Sequence, residues 1–304
     1  MIFMKSVRKQ KGARLGQHFL TGLWAAHALA QAVSVQPGET ILEIGPGKGA
    51  LTRELIATGQ HVLAIEKDGM LAQGLSATFA ADIASGALRV VAADIRDVEV
   101  VYEPGQTVPD ARRGEGGARD VPERTVSATL RLRNEAEGIV LPGGYVVAAN
   151  IPYYITGEIV RQFLETPAQP RAMALLIQKE VADRIVARGG KESILSLSVK
   201  AYGTPKIVAK VSRGNFSPPP SVDSAILLVG DISKQFFGDL DEKIFFKVVK
   251  AGFASKRKFL SSNLAVPFGK DAVLRAFEAC GLSGKVRAED VPLPEWKKLA
   301  QELS

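Results

Sequence analysis

The sequence predicts an α/β protein: a mostly parallel sheet covered by helices on both faces, followed by a small all-helical C-terminal domain. Three observations carry this. From residue 40, short apolar runs alternate with amphipathic helical patterns, the rhythm that builds a parallel sheet. A glycine-rich turn, "EIGPGKG", separates the first such run from the first such helix. After Gly230 only helical periodicities remain, which divides the chain into 1–230 and 231–304.

The elements follow in order. The first fourteen residues carry Lys5, Arg8, Lys9, Lys11 and Arg14 without an acid; a solvated tail and a basic arm lying on phosphates both fit them. "TILEIG" (40–45) reads as a buried strand and "ALTRELIATG" (50–59) as a helix closed by Gly59. "HVLAIEKD" (61–68), "LRVVAAD" (88–94) and "GYVVAAN" (144–150) are further strands. An amphipathic helix, "TGEIVRQFLE" (156–165), starts with Thr156 as its expected N-cap. "AMALLIQ" (172–178) leads into the helical "KEVADRIVAR" (179–188). "KIVAKVS" (206–212) and "SAILLVG" (224–230) flank "RGNFSPPPSVD" and suit an antiparallel pair ending the sheet. "DEKIFFKVVKAGF", "KDAVLRAFEACG" and "PEWKKLAQEL" supply the C-terminal helices. The segment 103–143 breaks the rhythm with Pro104, Pro109, Pro122 and "RRGEGGARD". It reads as a mobile surface insertion, within which "TVSATLRLR" (125–133) has the pattern of a hairpin arm.

Composition narrows the function. At 304 residues, 46% hydrophobic and 23% charged, the chain is an ordinary soluble protein. A net charge of +7 favours a polyanionic partner, either nucleic acid or an acidic membrane surface. The single cysteine, Cys280, fits a reducing compartment. No apolar stretch approaches the ~18 residues of a membrane span, and the start lacks the plan of a secretion signal. A cytoplasmic protein with no membrane role is expected. His18, His27 and His61 show no metal-ligand spacing, so no metal is expected. Trp24 and Trp296 read as packing residues.

The glycine turn places Gly45, Gly47 and Gly49 at the carboxyl edge of the expected sheet, where a nucleotide-like ligand approaches the backbone closely. Its G-x-G-x-G spacing is neither the dinucleotide fingerprint nor a phosphate loop. Glu66 ends the second strand, where an acid accepts from both ribose hydroxyls. Asp94 ends the third, where a carboxylate accepts from an adenine amino group. Together they imply an adenosine without a large phosphate demand. S-adenosylmethionine (AdoMet) matches, and nicotinamide dinucleotides compete.

"NIPYYIT" follows the fourth strand. It resembles the [DNS]-[IP]-P-[YF] motif of AdoMet-dependent methyltransferases that act on exocyclic amino groups of nucleobases. The resemblance extends along nearly the whole chain to one family, the ribosomal small-subunit RNA adenine dimethyltransferases: "LGQHFL" (15–20), "ILEIGPGKGALT", "AIEKD", "AADI", "NIPYYIT", "LLIQKEVADRI", "FSPPPSVDSAI" and "AGFASKRKFLSSNL" occur in the family's order.

The resemblance implies a Rossmann-like AdoMet-dependent methyltransferase sheet with a helical C-terminal RNA-binding domain. It implies transfer of four methyl groups to the N6 atoms of two adjacent adenosines in the 3′-terminal hairpin of 16S rRNA, within an immature 30S subunit and by a monomer. The Asn150 side-chain oxygen and the main-chain carbonyl of Ile151 or Pro152 would accept the amine hydrogens, with Pro152 fixing the turn. Tyr153 would stack on the extruded base, a contact worth ~1–3 kcal/mol, and Phe216 would close over its other face. His18, the Leu20 backbone, Gly45, Gly47, Glu66, Asp94 and Asn150 would hold AdoMet. Lys256, Arg257 and Lys258 would meet RNA phosphates. Two departures stand out: the insertion at 103–143, and, in the RNA-contact motifs, "KRKFL" where a Thr before the Leu is more frequent together with Ser221 where a lysine is frequent. The rival readings are a 23S rRNA adenine methyltransferase of the macrolide-resistance type, a ribosome-assembly factor whose main task is binding, and a nicotinamide dehydrogenase.

Overall fold

The structure, a computed structural model, describes residues 18–107, 126–132, 138–141 and 143–304. The basic N-terminal residues and "RRGEGGARD" lie outside them. Seven strands form the main sheet: β1 (Thr40–Ile44), β2 (Val62–Glu66), β3 (Leu88–Ala92), β4 (Tyr145–Asn150), β5 (Met173–Gln178), β6 (Thr204–Val211) and β7 (Ser224–Gly230). Their order across the sheet is β6-β7-β5-β4-β1-β2-β3. β1 to β5 run parallel, whereas β7 lies antiparallel between β5 and β6. The antiparallel pair expected to end the sheet is therefore its edge.

Side chains alternate between two apolar layers, as a pleated strand requires. Leu42, Ile44, Leu63, Ile65, Tyr145, Val147 and Ala149 enter one cluster. Ile41, Val62, Ala64, Val146 and Ala148 enter the other, against the helix Leu23–Ala32. The first cluster runs without a break into the C-terminal helices Glu242–Gly252, Leu260–Phe268 and Leu293–Glu302 through Phe245, Val248, Leu260 and the fully buried Trp296. Those helices thus share the core of the sheet.

Three details differ from the sequence reading. β3 stops at Ala92, so Asp94 lies just beyond the strand and caps a 3-10 turn, Ile95–Asp97, by accepting from the Arg96 amide. Thr156 does not cap its helix: it is the first helical residue, buried, and the chain arrives through a 3-10 turn, Tyr153–Ile155, that already winds the entry. Of the 125–133 arm, Val126–Leu132 is one strand of a three-stranded antiparallel sheet with Val98–Thr107 and Ile139–Leu141. It begins ahead of the predicted insertion because Val98 and Val100 alternate inward and join the main core with Leu130 and Leu141.

Near the site, a short pairing ties distant segments together. Phe19–Leu20 lies antiparallel to Phe216–Ser217, with Leu20 opposite Phe216. The Thr21 amide extends the pairing by donating to Asn215 O at 2.8 Å.

Candidate active site

A cavity of about 520 Å³ opens at the carboxyl ends of β1, β2 and β4. β1 and β4 are neighbours whose following chains leave in opposite directions, the crevice where open α/β sheets bind ligands. The glycine turn, Glu66, Asp94, the segment 150–155 and the strap 18–20 all line it.

The glycine turn is shaped for close approach. Gly45 and Gly47 have φ of +64° and +60°, the left-handed region that glycine enters without penalty. A Cβ on Gly47 would sit 3.1 Å from the Phe19 ring. The Gly47 amide instead donates to Glu66 Oε2 at 3.0 Å, and the Asp68 amide to Oε1 at 2.9 Å. Glu66 is thereby held with both oxygens at the cavity wall. Burial pushes its pKa up while the backbone amides of Gly47 and Lys67 pull it down.

Asp94 is held differently. Arg96 donates from Nε to Oδ1 at 3.0 Å and from Nη2 to Oδ2 at 2.5 Å, and Lys67 Nζ lies 2.7 Å from Oδ2. These cationic partners, Arg96 foremost, keep the carboxyl well below the usual range.

Asn150 is oriented by the strap. Its Nδ2 donates to His18 O at 3.1 Å. A carbonyl only accepts, so this bond fixes which end of the amide is nitrogen. Oδ1 is left as an acceptor with no hydrogen bond among the described residues. Tyr153 shares a 2.8 Å hydrogen bond between its hydroxyl and Ser224 Oγ, and its ring lies 5.9 Å from that of His18. The His18 Nδ1 donates in turn to Pro218 O at 2.8 Å.

Glu43 was not foreseen. It is 1% exposed, lines the cavity, and neither oxygen makes a well-formed hydrogen bond, the neighbouring Thr52 hydroxyl offering only partial relief. Burial raises its carboxyl to about 8. Such an orphaned acid suits a cationic ligand group. The signal was present as an acid inside a wholly buried strand, "TILEI". AdoMet fits this donor set: a ribose diol for Glu66, an amine for Asp94 and an α-ammonium for Glu43.

A family model described as "Ribosomal RNA adenine dimethylase" matches residues 8–304. The chain belongs to this family. It is 35% identical over 296 residues to the "Ribosomal RNA small subunit methyltransferase A" of Dehalococcoides mccartyi, covering 97% of this chain and 88% of that one. Two solved structures share its fold. One is a dimethyladenosine transferase from Plasmodium falciparum, with a TM-score of 0.67 and 20% identity over 93% of this chain and 96% of that chain. The other is the 23S rRNA methyltransferase ErmE, with a TM-score of 0.66 and 23% identity over 94% and 99%.

Most residues expected to act in this dimethylase-family chain meet at one cavity: His18, Leu20, Gly45, Gly47, Glu66 and Asp94 on the cofactor side, Asn150, Pro152 and Tyr153 beside them. Phe216 is not brought there. It is 4% exposed and packed in the apolar cluster with Leu20, Ala26 and Leu29, because its pairing with Leu20 turns it into the core. The exposed aromatic at the rim is Tyr154, at 75%. Lys256, Arg257 and Lys258 are exposed in the turn ahead of the helix Leu260–Phe268 and do not line the cavity. Among the described residues no His, Cys, Asp and Glu cluster could hold a metal ion, and no helix is long and apolar enough to cross a membrane.

Proposed function

We propose that this chain transfers methyl groups from AdoMet to N6 of two adjacent adenosines in the 3′-terminal hairpin of 16S rRNA, giving N6,N6-dimethyladenosines on an immature small subunit. It works as a monomer in the cytoplasm. The observation that carries this reading is the Asn150 amide, pinned through Nδ2 to His18 O with Oδ1 left to accept, beside a cavity built for an adenosine.

An adenine amine is a weak nucleophile because its lone pair is delocalised into the ring. Two acceptors on its hydrogens favour a pyramidal nitrogen whose lone pair points at the methyl group. Asn150 Oδ1 is one. The Pro152 carbonyl already accepts from the Ile155 amide at 3.1 Å, which leaves it one lone pair, and we assign the second role to Ile151 O, next to Asn150 in the cavity wall. Tyr153, tethered by Ser224, offers the face on which the extruded base stacks. AdoMet, when bound, supplies an activated methyl on its sulfonium. The product proton leaves to water, so the site requires no strong base. Lys256, Arg257 and Lys258 contact RNA phosphates, in a C-terminal domain spanning 231–304 that serves RNA binding.

The Dehalococcoides relative's name supports the small subunit as target, at higher identity than the 23S enzyme whose fold is shared. Mass mapping of rRNA from a deletion strain, with and without this chain, tests the proposal. Dimethylation of two neighbouring adenosines near the 16S 3′ end is expected. It disappears with Asn150→Ala while the variant keeps the melting curve of the unaltered protein. Label on 23S rRNA alone, or on neither RNA, overturns it.

A further inference from the structure

The Asp94 carboxylate is crowded with donors. Arg96 holds both of its oxygens through its guanidinium and adds its own backbone amide at 3.1 Å, while Lys67 Nζ closes on Oδ2. A carboxylate offers about four lone-pair positions. An adenine amine therefore gains Asp94 only when one of these donors withdraws. Lys67 makes a single contact from a side chain 67% exposed. Both side chains line the cavity, but only Arg96 spans both oxygens with a planar fork, so it is the larger obstruction to an incoming amine. Its side chain is 40% exposed, and its charge feels Glu158 and Tyr154 at the rim where the target base enters.

We propose that Arg96 is an exchangeable guanidinium: an adenine arriving at Asp94 displaces it, and the freed fork takes a phosphate of the RNA strand that carries the target base. This rests on the proposed function above, in its assignment of Asp94 to the cofactor adenine. Guanidinium and phosphate match as a bidentate pair. The competing internal partner, Glu158, is solvent-exposed on the helix Thr156–Glu165, where an ion pair contributes little. Arg96 thus links the two ligands. Cofactor binding prepares an RNA contact, and by reciprocity RNA binding favours the cofactor.

The experiment measures affinity rather than turnover. S-adenosylhomocysteine carries the same adenosine and cannot react, and unmethylated immature small subunits serve as the RNA ligand. In the unaltered protein, saturating S-adenosylhomocysteine tightens subunit binding about tenfold. In Arg96→Ala this coupling falls to near one, and S-adenosylhomocysteine alone binds at least as tightly as before, since Asp94 is no longer engaged. Arg96→Lys, which keeps the charge and loses the fork, retains only part of the coupling. Coupling that persists in Arg96→Ala, coupling absent from the unaltered protein, or weaker S-adenosylhomocysteine binding by Arg96→Ala each overturn the proposal. Asp94→Asn separates the two ideas. If it leaves S-adenosylhomocysteine affinity unchanged, the adenine assignment of Asp94 fails, whatever Arg96 does.

Discussion

Replacing Glu43 by glutamine is the sharpest probe of how the cavity recognises its ligand. The carboxyl is 1% exposed, makes no well-formed hydrogen bond, and titrates at about 8 because burial disfavours its charge. At pH 7 such an acid is roughly nine-tenths protonated. An α-ammonium docked against it favours the ionised form, so binding at pH 7 releases on the order of 0.9 proton. The sign follows: affinity rises as pH climbs toward the free-state value, by about twenty-fivefold between pH 6 and pH 8. The rise then levels off as the ligand's own α-amino group, near about 8, begins to lose its charge. Titration calorimetry of S-adenosylhomocysteine in two buffers of different ionisation enthalpy reads the proton directly. Glu43→Gln abolishes the buffer dependence and flattens the pH profile. Equal heats in both buffers, with a pH-independent Kd, would refute the assignment of Glu43 to the ligand's cation. Stability carries the same signature. The folded pKa is raised above the ordinary value of 4.5, so stability is lost as pH rises from that value toward 8. The melting temperature of Glu43→Gln therefore gains on the unaltered protein between pH 5 and pH 8.

Two further outcomes follow from the surrounding contacts. Ser224→Ala removes the 2.8 Å tether of Tyr153; turnover falls several-fold with S-adenosylhomocysteine affinity unchanged, and a double variant with Tyr153→Phe loses little more, as coupled partners do. Neutralising Lys256, Arg257 and Lys258 together lowers the slope of log affinity for RNA against log salt by about two, measured by filter binding across a salt series, and leaves cofactor binding intact.

The parallel sheet was legible because buried strands and amphipathic helices leave opposite periodicities, and "TILEI" and "VLAIE" are indeed strands buried throughout. The glycine turn and "NIPYY" were legible because short-range chemistry needs contiguous residues. What the sequence hid depends on long-range pairing. Nothing in "LGQHFL" announces that the His18 carbonyl orients Asn150, a contact made across the whole first half of the sheet. Phe216 reads as an aromatic beside a proline loop, and only its register opposite Leu20 turns it into the core. Arg96 looks like an ordinary surface cation until the short turn after β3 folds its fork onto Asp94. The three-stranded arm was under-read because its first strand, from Val98, continues the main rhythm and its middle strand was seen without partners.

The same strap explains why an amide, rather than a carboxylate, stands at position 150. His18 O accepts, and only a donor can face it at 3.1 Å. An aspartate there would set one carboxylate oxygen against that carbonyl and leave two acceptors repelling across a half-buried gap, at a cost of about 1–3 kcal/mol for the unsatisfied group. The amide resolves the conflict by dividing its two ends: nitrogen anchors to the strap, and oxygen remains available to accept. The strap that carries His18 O is itself held by the pairing of Phe19–Leu20 with Phe216–Ser217. The acceptor's aim is thus set by a two-residue pairing between segments from opposite ends of the catalytic sheet, which is why residues far from the cavity in sequence govern what happens inside it.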